Sequence, residues 1–339
     1  MVAAVALPRI LRIGAGASAA LPEALAVLGL SRPLIVTDRF LIQRATARID
    51  GKYDDQNFFG ASMFRAMDEA GLVYRVFADA VPDPTVASIE AALNYFDQGE
   101  HDCVVGFGGG SPIDTAKMVA VMAVHGGPVS RFKTPHVQDA PGLPILAVPT
   151  TAGTGSEATR FAVITDEVTD EKMLCAGLAY LPTAALVDYE LTLSKPARLT
   201  ADTGIDSLTH AIEAYVSKRA NPFSDGFALS AMRRLAPNLR RVCEAPHDRA
   251  AREAMMLGAT EAGIAFSNAS VALVHGMSRP IGAHFHVPHG LSNAMLLPVV
   301  TAWSAPSALD RYGACARAMG VASEDEGCLL YTSPSPRDS

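Results

Sequence analysis

The amino-acid sequence predicts a Rossmann-like α/β domain with a parallel, doubly wound sheet, followed by an all-α domain. In the first half, short apolar runs alternate with segments of helical period, which is typical of repeated strand–helix units. After about Leu193 the apolar residues recur at spacings of three and four, as in Leu208, Ile212 and Tyr215. That period is typical of helices that bury one face. A chain of 339 residues is long enough for two hydrophobic cores.

The predicted elements of the first half follow one another along the chain. Four buried strands are predicted, at Pro33–Asp38, Val73–Phe77, Asp102–Phe107 and Ile145–Val148. Two more strands near the edge of the sheet are predicted at Phe161–Thr165 and Ala184–Asp188. Helices are predicted at Leu21–Leu28, Met63–Ala70 and Val86–Phe96. The polar stretch Asp50–Ser62 is expected to be a surface insertion.

The second half contains no predicted strand. Ala228–Val242 and Ala250–Phe266 continue the helical period, and the change of pattern falls near Ser194-Lys195-Pro196. We therefore expect one domain at residues 1–193 and a second at 194–326. Residues 327–339 are rich in Ser and Pro and have no helical period, so we expect an irregular tail that is either disordered or non-native.

Composition argues against several classes of partner. The net charge is −7 and the sequence has no dense run of Lys and Arg, so no nucleic-acid partner is expected. No uncharged apolar run reaches the roughly 18 residues that a membrane span needs. The five cysteines are scattered and form no CxxC pair. This favours a reducing compartment, and we expect the cytoplasm.

A glycine-rich loop joins a predicted strand to a predicted helix in DCVVGFGGGSPIDTAK. Ser111 is predicted to cap the helix, with Pro112 in its first position and Asp114 three residues after the cap. Glycines such as Gly109 and Gly110 let the backbone approach a ligand, and the N-terminus of a helix offers free N–H groups to a pyrophosphate. No Gly-Lys-Ser/Thr follows, so this is not a Walker loop. We predict that it binds a nucleotide phosphate rather than forming only a tight turn.

Hydroxyl groups follow the strand that ends at Val148, in PTTAGTGSE. Thr150, Thr151, Thr154 and Ser156 lie where open α/β sheets bind ligands. A Ser/Thr-rich helix cap is the alternative, but the neighbouring glycine loop favours contact with a cofactor.

Asp38 ends the strand LIVTD. A carboxylate there can accept both ribose hydroxyls of an adenosine and would repel a 2′-phosphate, which favours NAD over NADP. The alternative is a simple N-cap or turn residue.

A candidate metal site lies in the predicted helical domain. Asp206 and His210 are four residues apart, which places them on one face of a helix. His275 and His289 follow, each directly before a glycine. One carboxylate with imidazole nitrogens is a ligand set for a divalent transition metal. Any one of these histidines alone would be read as a hydrogen-bonded core residue, so the prediction rests on the set.

The segments FGGGSPIDTAK, PTTAGTGSE, GIDSLTHAIEAY and VHGMSRPIG…VPHGLSNAMLLP resemble the signature segments of the iron-containing (group III) alcohol dehydrogenases. The resemblance extends from about Leu11 to about Met319. It implies the fold of that family and of dehydroquinate synthase, with a nucleotide-binding domain, a helical metal-binding domain and a cofactor cleft between them. It also implies a homo-oligomer that transfers hydride between a small alcohol and NAD, with NADP as a second option.

The resemblance assigns roles to individual residues. The implied ligands of Fe²⁺, with Zn²⁺ as the alternative metal, are Asp206, His210, His275 and His289. The implied cofactor contacts include Gly110, Ser111, Thr150, Thr151 and Thr154, with Asp38 at the position linked to NAD preference and Lys172 near the nicotinamide ribose.

The sequence departs from the family at two places. Several members carry a histidine four residues after the first His of the HGM segment, and it is proposed to relay the proton; here that position is Arg279. Arg279 either binds a substrate carboxylate or pairs with an acid on a helix face, and His284 or His286 is predicted to replace the relay. Members usually continue with several more helices, so we expect the C-terminus here to be truncated or chimeric.

Three alternatives to a metal-dependent alcohol dehydrogenase remain open. A zinc enzyme of the glycerol dehydrogenase type would lack an equivalent of His210. A hydroxyacid–oxoacid transhydrogenase would keep its nicotinamide bound during turnover. A nucleotide-binding protein without catalysis would result if truncation abolished activity.

Overall fold

The computed structural model describes residues 3–46, 48–49, 52–53, 60–285 and 287–323. Most of the predicted insertion, the candidate relay residue His286 and the predicted tail at 327–339 lie outside these residues.

A parallel sheet of six strands forms the centre of the first half. Its strands are β1 (Ile10–Ile13), β2 (Pro33–Val36), β5 (Arg75–Phe77), β6 (Cys103–Gly108), β7 (Ile145–Pro149) and β10 (Ala184–Val187). They lie in the order β1-β10-β7-β6-β2-β5. Two antiparallel pairs lie outside this sheet: β3 (Arg48–Ile49) with β4 (Lys52–Tyr53), and β8 (Phe161–Asp166) with β9 (Glu171–Ala176).

Helices cover both faces of the sheet. They are α1 (Leu21–Leu28), α2 (Arg39–Ala45), α3 (Ala61–Glu69), α4 (Val86–Phe96) and α5 (Gly110–His125). On one face Leu25, Leu41 and Phe64 pack against buried strand residues such as Ile35. On the other face α4 and α5 share a second core with β2, β6 and β7. Strands buried on both faces read as continuous apolar runs, which is why they could be recognised in the sequence.

Most predicted strands are confirmed, but the placement of one is wrong. The strands expected at Pro33–Asp38, Val73–Phe77, Asp102–Phe107 and Ile145–Val148 are all present, with shifted ends. Ala184–Val187 lies near the edge as predicted, one strand in, because the unpredicted strand β1 pairs with its outer side. Phe161–Asp166 does not join the main sheet, because it folds back on β9 in a hairpin.

Six helices follow the first half within the residues that the structure describes. They are α6 (Ala197–Val216), α7 (Pro222–Glu244), α8 (Arg249–Asn268), α9 (Leu273–Phe285), α10 (His289–Ser304) and α11 (Leu309–Ala318). Buried residues such as Ala211, Met232, Leu235 and Met255 form their common core. The predicted helical character of this part is confirmed, and α6 begins directly after Pro196.

Of the described helices, none has by itself the length and apolar character needed to cross a membrane. The bent pair Arg249–Asn268 and Leu273–Gly282 reaches that length and apolar character only when the two helices are counted together.

Candidate active site

Three helices bring the four predicted metal ligands together. Asp206 and His210 lie on α6, His275 lies on α9, and His289 is the first residue of α10. The Oδ1 atom of Asp206 is 3.5 Å from Nε2 of His275 and 3.6 Å from Nε2 of His289. Its Oδ2 atom is 3.9 Å from Nδ1 of His210. Asp206, His210 and His275 are buried, whereas the side chain of His289 is 36% exposed and lies at the open side of the site.

Gly290 lets the start of α10 approach α6. A Cβ atom at this position would lie 2.2 Å from the backbone oxygen of Asp202. No side chain fits in that space, so a glycine directly after His289 holds this ligand beside the other three.

Glu213 connects α6 to α9 and orients His275. Its Oε2 atom accepts a hydrogen bond from Nδ1 of His275 at 2.6 Å, and its Oε1 atom accepts one from the backbone N–H of Val274 at 2.6 Å. Ligand histidines commonly donate their second ring N–H to a carboxylate in this way. The sequence analysis missed Glu213, although its position three residues after His210 places it on the same face of the helix.

Asn293 is a second residue that the sequence analysis missed. Its Nδ2 atom donates to Oδ1 of Asp206 at 2.6 Å and lies 3.2 and 3.3 Å from Nε2 of His275 and His289. Asn293 is fully buried on α10, one turn after His289. Its amide therefore helps to fix the orientation of the Asp206 carboxylate.

The electrostatics of the cluster favour an ionised Asp206 and neutral rings at His210 and His289. Burial lowers the pKa of His210 to about 3 against the opposing charge of Asp206, and burial also lowers the pKa of His289. Burial alone would raise the pKa of Asp206, but the charges of His210 and His289 and the bond to His275 lower it. His275 differs: burial alone would lower its pKa, but its hydrogen bonds to Asp206 and Glu213 raise it. An ionised carboxylate and neutral imidazoles are the forms that bind a metal ion.

The geometry of the cluster fits a metal ion, independently of the resemblance to the family. One ligand atom from each of Asp206, His210 and His275 lies within 4.8 Å of the others. The buried Nδ1 atom of His210 has no hydrogen-bond partner, and a buried polar atom without a partner calls for an explanation. A divalent cation among these atoms would supply that partner.

A cavity of about 300 Å³ opens beside the predicted metal ligands and continues between the two halves of the chain. Its lining includes the predicted ligands Asp206, His210, His275 and His289, and also Gly110, Ser111, Asp114, Thr154, Ser156, Lys172 and Arg279. The aromatic ring of Phe266 forms one wall and stacks on His210, with 4.2 Å between the ring centroids.

The glycine loop leads directly into this cavity. The helix begins at Gly110, with Gly109 in the capping position, so the prediction that Ser111 caps it is wrong. The glycine backbone can enter the helix two residues earlier, and Ser111 instead accepts a hydrogen bond from the backbone N–H of Asp83 at 3.2 Å. A Cβ atom on Gly110 would lie 2.8 Å from Cγ2 of Thr154, so the two predicted cofactor loops are in direct contact.

Asp114 and Ser156 bind each other within the cavity wall. The hydroxyl of Ser156 donates to Oδ1 of Asp114 at 2.5 Å, and the backbone N–H of Val163 donates to Oδ2 at 2.9 Å. The fully buried Lys117 lies on the far side, with Nζ 3.9 Å from Oδ1 of Asp114. This arrangement joins α5 to the second loop and to β8.

Asp38 and the remaining threonines lie further along the sheet edge. Oδ1 of Asp38 accepts a hydrogen bond from the backbone N–H of Leu41 at 2.8 Å and so caps α2. Thr150 is fully buried. Thr151 lines a smaller space beside Thr192 and Lys195.

The remaining candidate residues are divided between the cavity and the surface. Nζ of Lys172 is 3.1 Å from Oδ1 of Asp83. Arg279 is half-buried and lines the cavity, with no carboxylate oxygen of a described residue within ion-pair distance. His284 is exposed near the end of α9 and does not line the cavity.

Comparison with known proteins agrees with the fold. The sequence profile of iron-containing alcohol dehydrogenase matches residues 8–189, and the C-terminal profile of the Fe-containing alcohol dehydrogenase family matches residues 200–329. The chain is 38% identical to long-chain-alcohol dehydrogenase 1 of Geobacillus thermodenitrificans, over 94% of this chain and 78% of the relative. It is 37% identical to the NAD-dependent methanol dehydrogenase of Bacillus methanolicus, over 91% of this chain and 77% of the relative. The solved structure of 1,3-propanediol oxidoreductase matches with a TM-score of 0.90 and 33% identity, over 98% of this chain and 83% of that one.

The parallel sheet, the cleft and the cluster of Asp and His side chains define a metal- and nicotinamide-dependent dehydrogenase. The chain belongs to the iron-containing alcohol dehydrogenase family. It is an NAD(P)-dependent alcohol dehydrogenase.

Proposed function

We propose that the cluster of Asp206, His210, His275 and His289 holds the catalytic metal and that the reacting oxygen of the substrate lies beside it. The observation that carries the proposal is the convergence of these side chains at the wall of a cavity that also reaches the glycine loop. A divalent ion held there would polarise the substrate oxygen and lower the pKa of an alcohol, while the nicotinamide ring would exchange the hydride.

We propose that the nucleotide lies along the edge of the sheet. The N–H groups at the start of α5, at Gly109, Gly110 and Ser111, would bind its pyrophosphate. Thr150, Thr151 and Thr154 would supply hydroxyl contacts, and Lys172 would lie beside the nicotinamide ribose. Asp114 and Ser156 belong to the same wall, where their mutual hydrogen bond holds the two loops together.

Asp38 is the proposed determinant of NAD preference. Its Oδ1 atom caps α2 through Leu41, which leaves the second carboxylate oxygen for a ribose hydroxyl. Replacement of Asp38 by Ala should raise kcat/KM with NADPH relative to NADH. An unchanged ratio would assign this carboxylate to capping alone.

We propose Fe²⁺ as the resident metal, with Zn²⁺ as the alternative, because His210 supplies a third imidazole. Metal analysis of protein purified without chelators tests this assignment. Reduction of short aldehydes, followed as loss of NADH absorbance, tests the activity. His275→Ala should abolish metal-dependent turnover, and full activity without bound metal would contradict the proposal.

His284 and His286 stay the predicted proton relay, with Arg279 at the position of the missing histidine. The pH profile of kcat would shift in His284→Gln or His286→Gln if either side chain relays the proton. Unchanged profiles in both variants would leave solvent or the ribose hydroxyls as the route.

We also propose a domain division near residues 193–194, assembly as a homo-oligomer and residence in the cytoplasm. The compartment is supported by the four cysteines that the structure describes, all of which are free. Size-exclusion chromatography with light scattering measures the oligomeric state.

A further inference from the structure

Arg279 is a cation at the wall of the catalytic cavity whose role the proposed function does not explain. It lies on α9 four residues after His275, so both side chains leave the same face of the helix, with about 5–6 Å between their Cβ atoms. Its guanidinium group is half-buried, and burial lowers its pKa in opposition to the negative charge of Glu213.

Every carboxylate in the cavity wall already has a partner. Asp206 is held by the histidines and by Asn293. Asp114 accepts from Ser156 and Val163, and Asp83 pairs with Lys172.

Glu213, the acid whose charge acts on Arg279, is also occupied. Its two oxygens accept hydrogen bonds from the ring and backbone of His275 and from the backbone of Val274. Arg279 makes no ion pair with it within 4.0 Å and has no hydrogen-bond partner among the described residues. A guanidinium group carries five donors, so those of Arg279 are available to a molecule in the cavity.

We propose, resting on the function proposed above, that the substrate carries a carboxylate and that Arg279 binds it while the reacting oxygen lies at the metal ligands. The planar donors of arginine match a carboxylate in pairs, which gives both affinity and orientation. The one-turn spacing between His275 and Arg279 fits a short chain with a few carbon atoms between the two groups. The substrate class is therefore short-chain hydroxy acids and the corresponding aldehyde acids.

Two aldehydes of matched length test the proposal on the metal-loaded enzyme with NADH. The first is 4-oxobutanoate, which carries the carboxylate, and the second is pentanal, which is neutral. The wild type should prefer 4-oxobutanoate in kcat/KM by roughly ten- to a hundredfold, as expected for a charge-assisted hydrogen bond. Arg279→Met should remove this preference, mainly through KM, and lower the value for pentanal far less than the value for 4-oxobutanoate. Arg240→Met is the matched control, because Arg240 is exposed on α7 and pairs with Glu244.

The outcomes separate this inference from the proposed function. If neither aldehyde is reduced, the proposed function fails and the inference falls with it. If pentanal is reduced and 4-oxobutanoate is not preferred, only the inference is overturned. If Arg279→Met lowers both activities equally and also lowers bound metal, Arg279 serves to balance the charge of Glu213, and the inference is overturned as well.

A second measurement does not depend on turnover. Saturation-transfer NMR on metal-free protein should detect binding of pentanoate but much weaker binding of pentanamide. The difference should disappear in Arg279→Met and persist in Arg240→Met. Equal binding of pentanoate to the wild type and to Arg279→Met would overturn the proposal.

Discussion

The Oε2 atom of Glu213 lies 2.6 Å from Nδ1 of His275. The carboxylate fixes the proton of His275 on Nδ1 and leaves Nε2 unprotonated, 3.5 Å from Oδ1 of Asp206 and 3.2 Å from Nδ2 of Asn293. The same carboxylate accepts the backbone N–H groups of Val274 and His275 at the start of α9. One buried acid therefore sets both the position of the helix and the tautomer of its ligand histidine.

Glu213→Gln should weaken divalent-metal binding roughly ten- to a hundredfold, the range seen when the hydrogen-bond partner of a ligand is lost. The amide N–H₂ of glutamine would have to face a backbone N–H or the Nδ1–H of His275, and either choice places donor against donor. Bound metal is measured by elemental analysis after dialysis against a competing chelator. Glu244→Gln is the control, because Glu244 is exposed on α7. Equal metal affinity in Glu213→Gln and the wild type would remove this role from Glu213.

Gly110→Ala should raise the dissociation constant of NADH by at least roughly tenfold and leave bound metal unchanged. The added methyl group would lie 2.8 Å from Cγ2 of Thr154, so the two loops must separate and the phosphate cradle must widen. NADH fluorescence titration measures the effect. Gly226→Ala on α7 is the control, because a Cβ atom there meets nothing within 4 Å. Unchanged NADH affinity in Gly110→Ala would place the pyrophosphate elsewhere.

The sequence was informative where one local pattern specified both structure and chemistry. Buried parallel strands such as Cys103–Gly108 read as continuous apolar runs, and Asp206 and His210 share a helix face by spacing alone. Other features depend on tertiary contacts between distant segments. The pairing of β1 with β10 and the bond from Glu213 to His275 join residues far apart in the chain. For Ser111, a good capping residue was overridden because glycines let the helix begin earlier.

The metal-free enzyme should lose stability as the pH falls below about 6.5, through the titration of His210. Burial lowers the pKa of His210 to about 3 in the folded state, whereas its unfolded value is about 6.5. Between these values the unfolded chain binds a proton that the folded protein does not, so the free energy of unfolding falls with the pH. His210→Phe keeps the ring beside Phe266 and removes the titration, so its stability should depend less on pH in this window. Urea unfolding at pH 7 and pH 4.5 with a chelator present compares the two proteins, and parallel losses in both would contradict the assignment.

Lys117→Met should lower the free energy of unfolding by about 3 kcal/mol or more at pH 7, as expected when one partner of a buried charged network is removed. The ammonium of Lys117 is fully buried and donates to the backbone oxygens of Thr159 and Phe161 at 3.0 and 2.7 Å. Methionine fills a similar volume but removes the donor to both oxygens and leaves Asp114 without this cation.

The effect of Lys117→Met should also depend on pH. Burial lowers the pKa of Lys117 to about 8, below its unfolded value of about 10.4. As the pH rises between these values, the unfolded chain keeps a proton that the folded protein has lost, so the wild type gains stability relative to Lys117→Met. The gap between the two unfolding curves in urea should therefore be wider at pH 9.5 than at pH 7. Lys133→Met, which removes a half-exposed lysine paired with Glu171, should show no such widening. If the difference in the free energy of unfolding between the wild type and Lys117→Met is the same at both pH values, Lys117 has the same pKa in the folded and unfolded states.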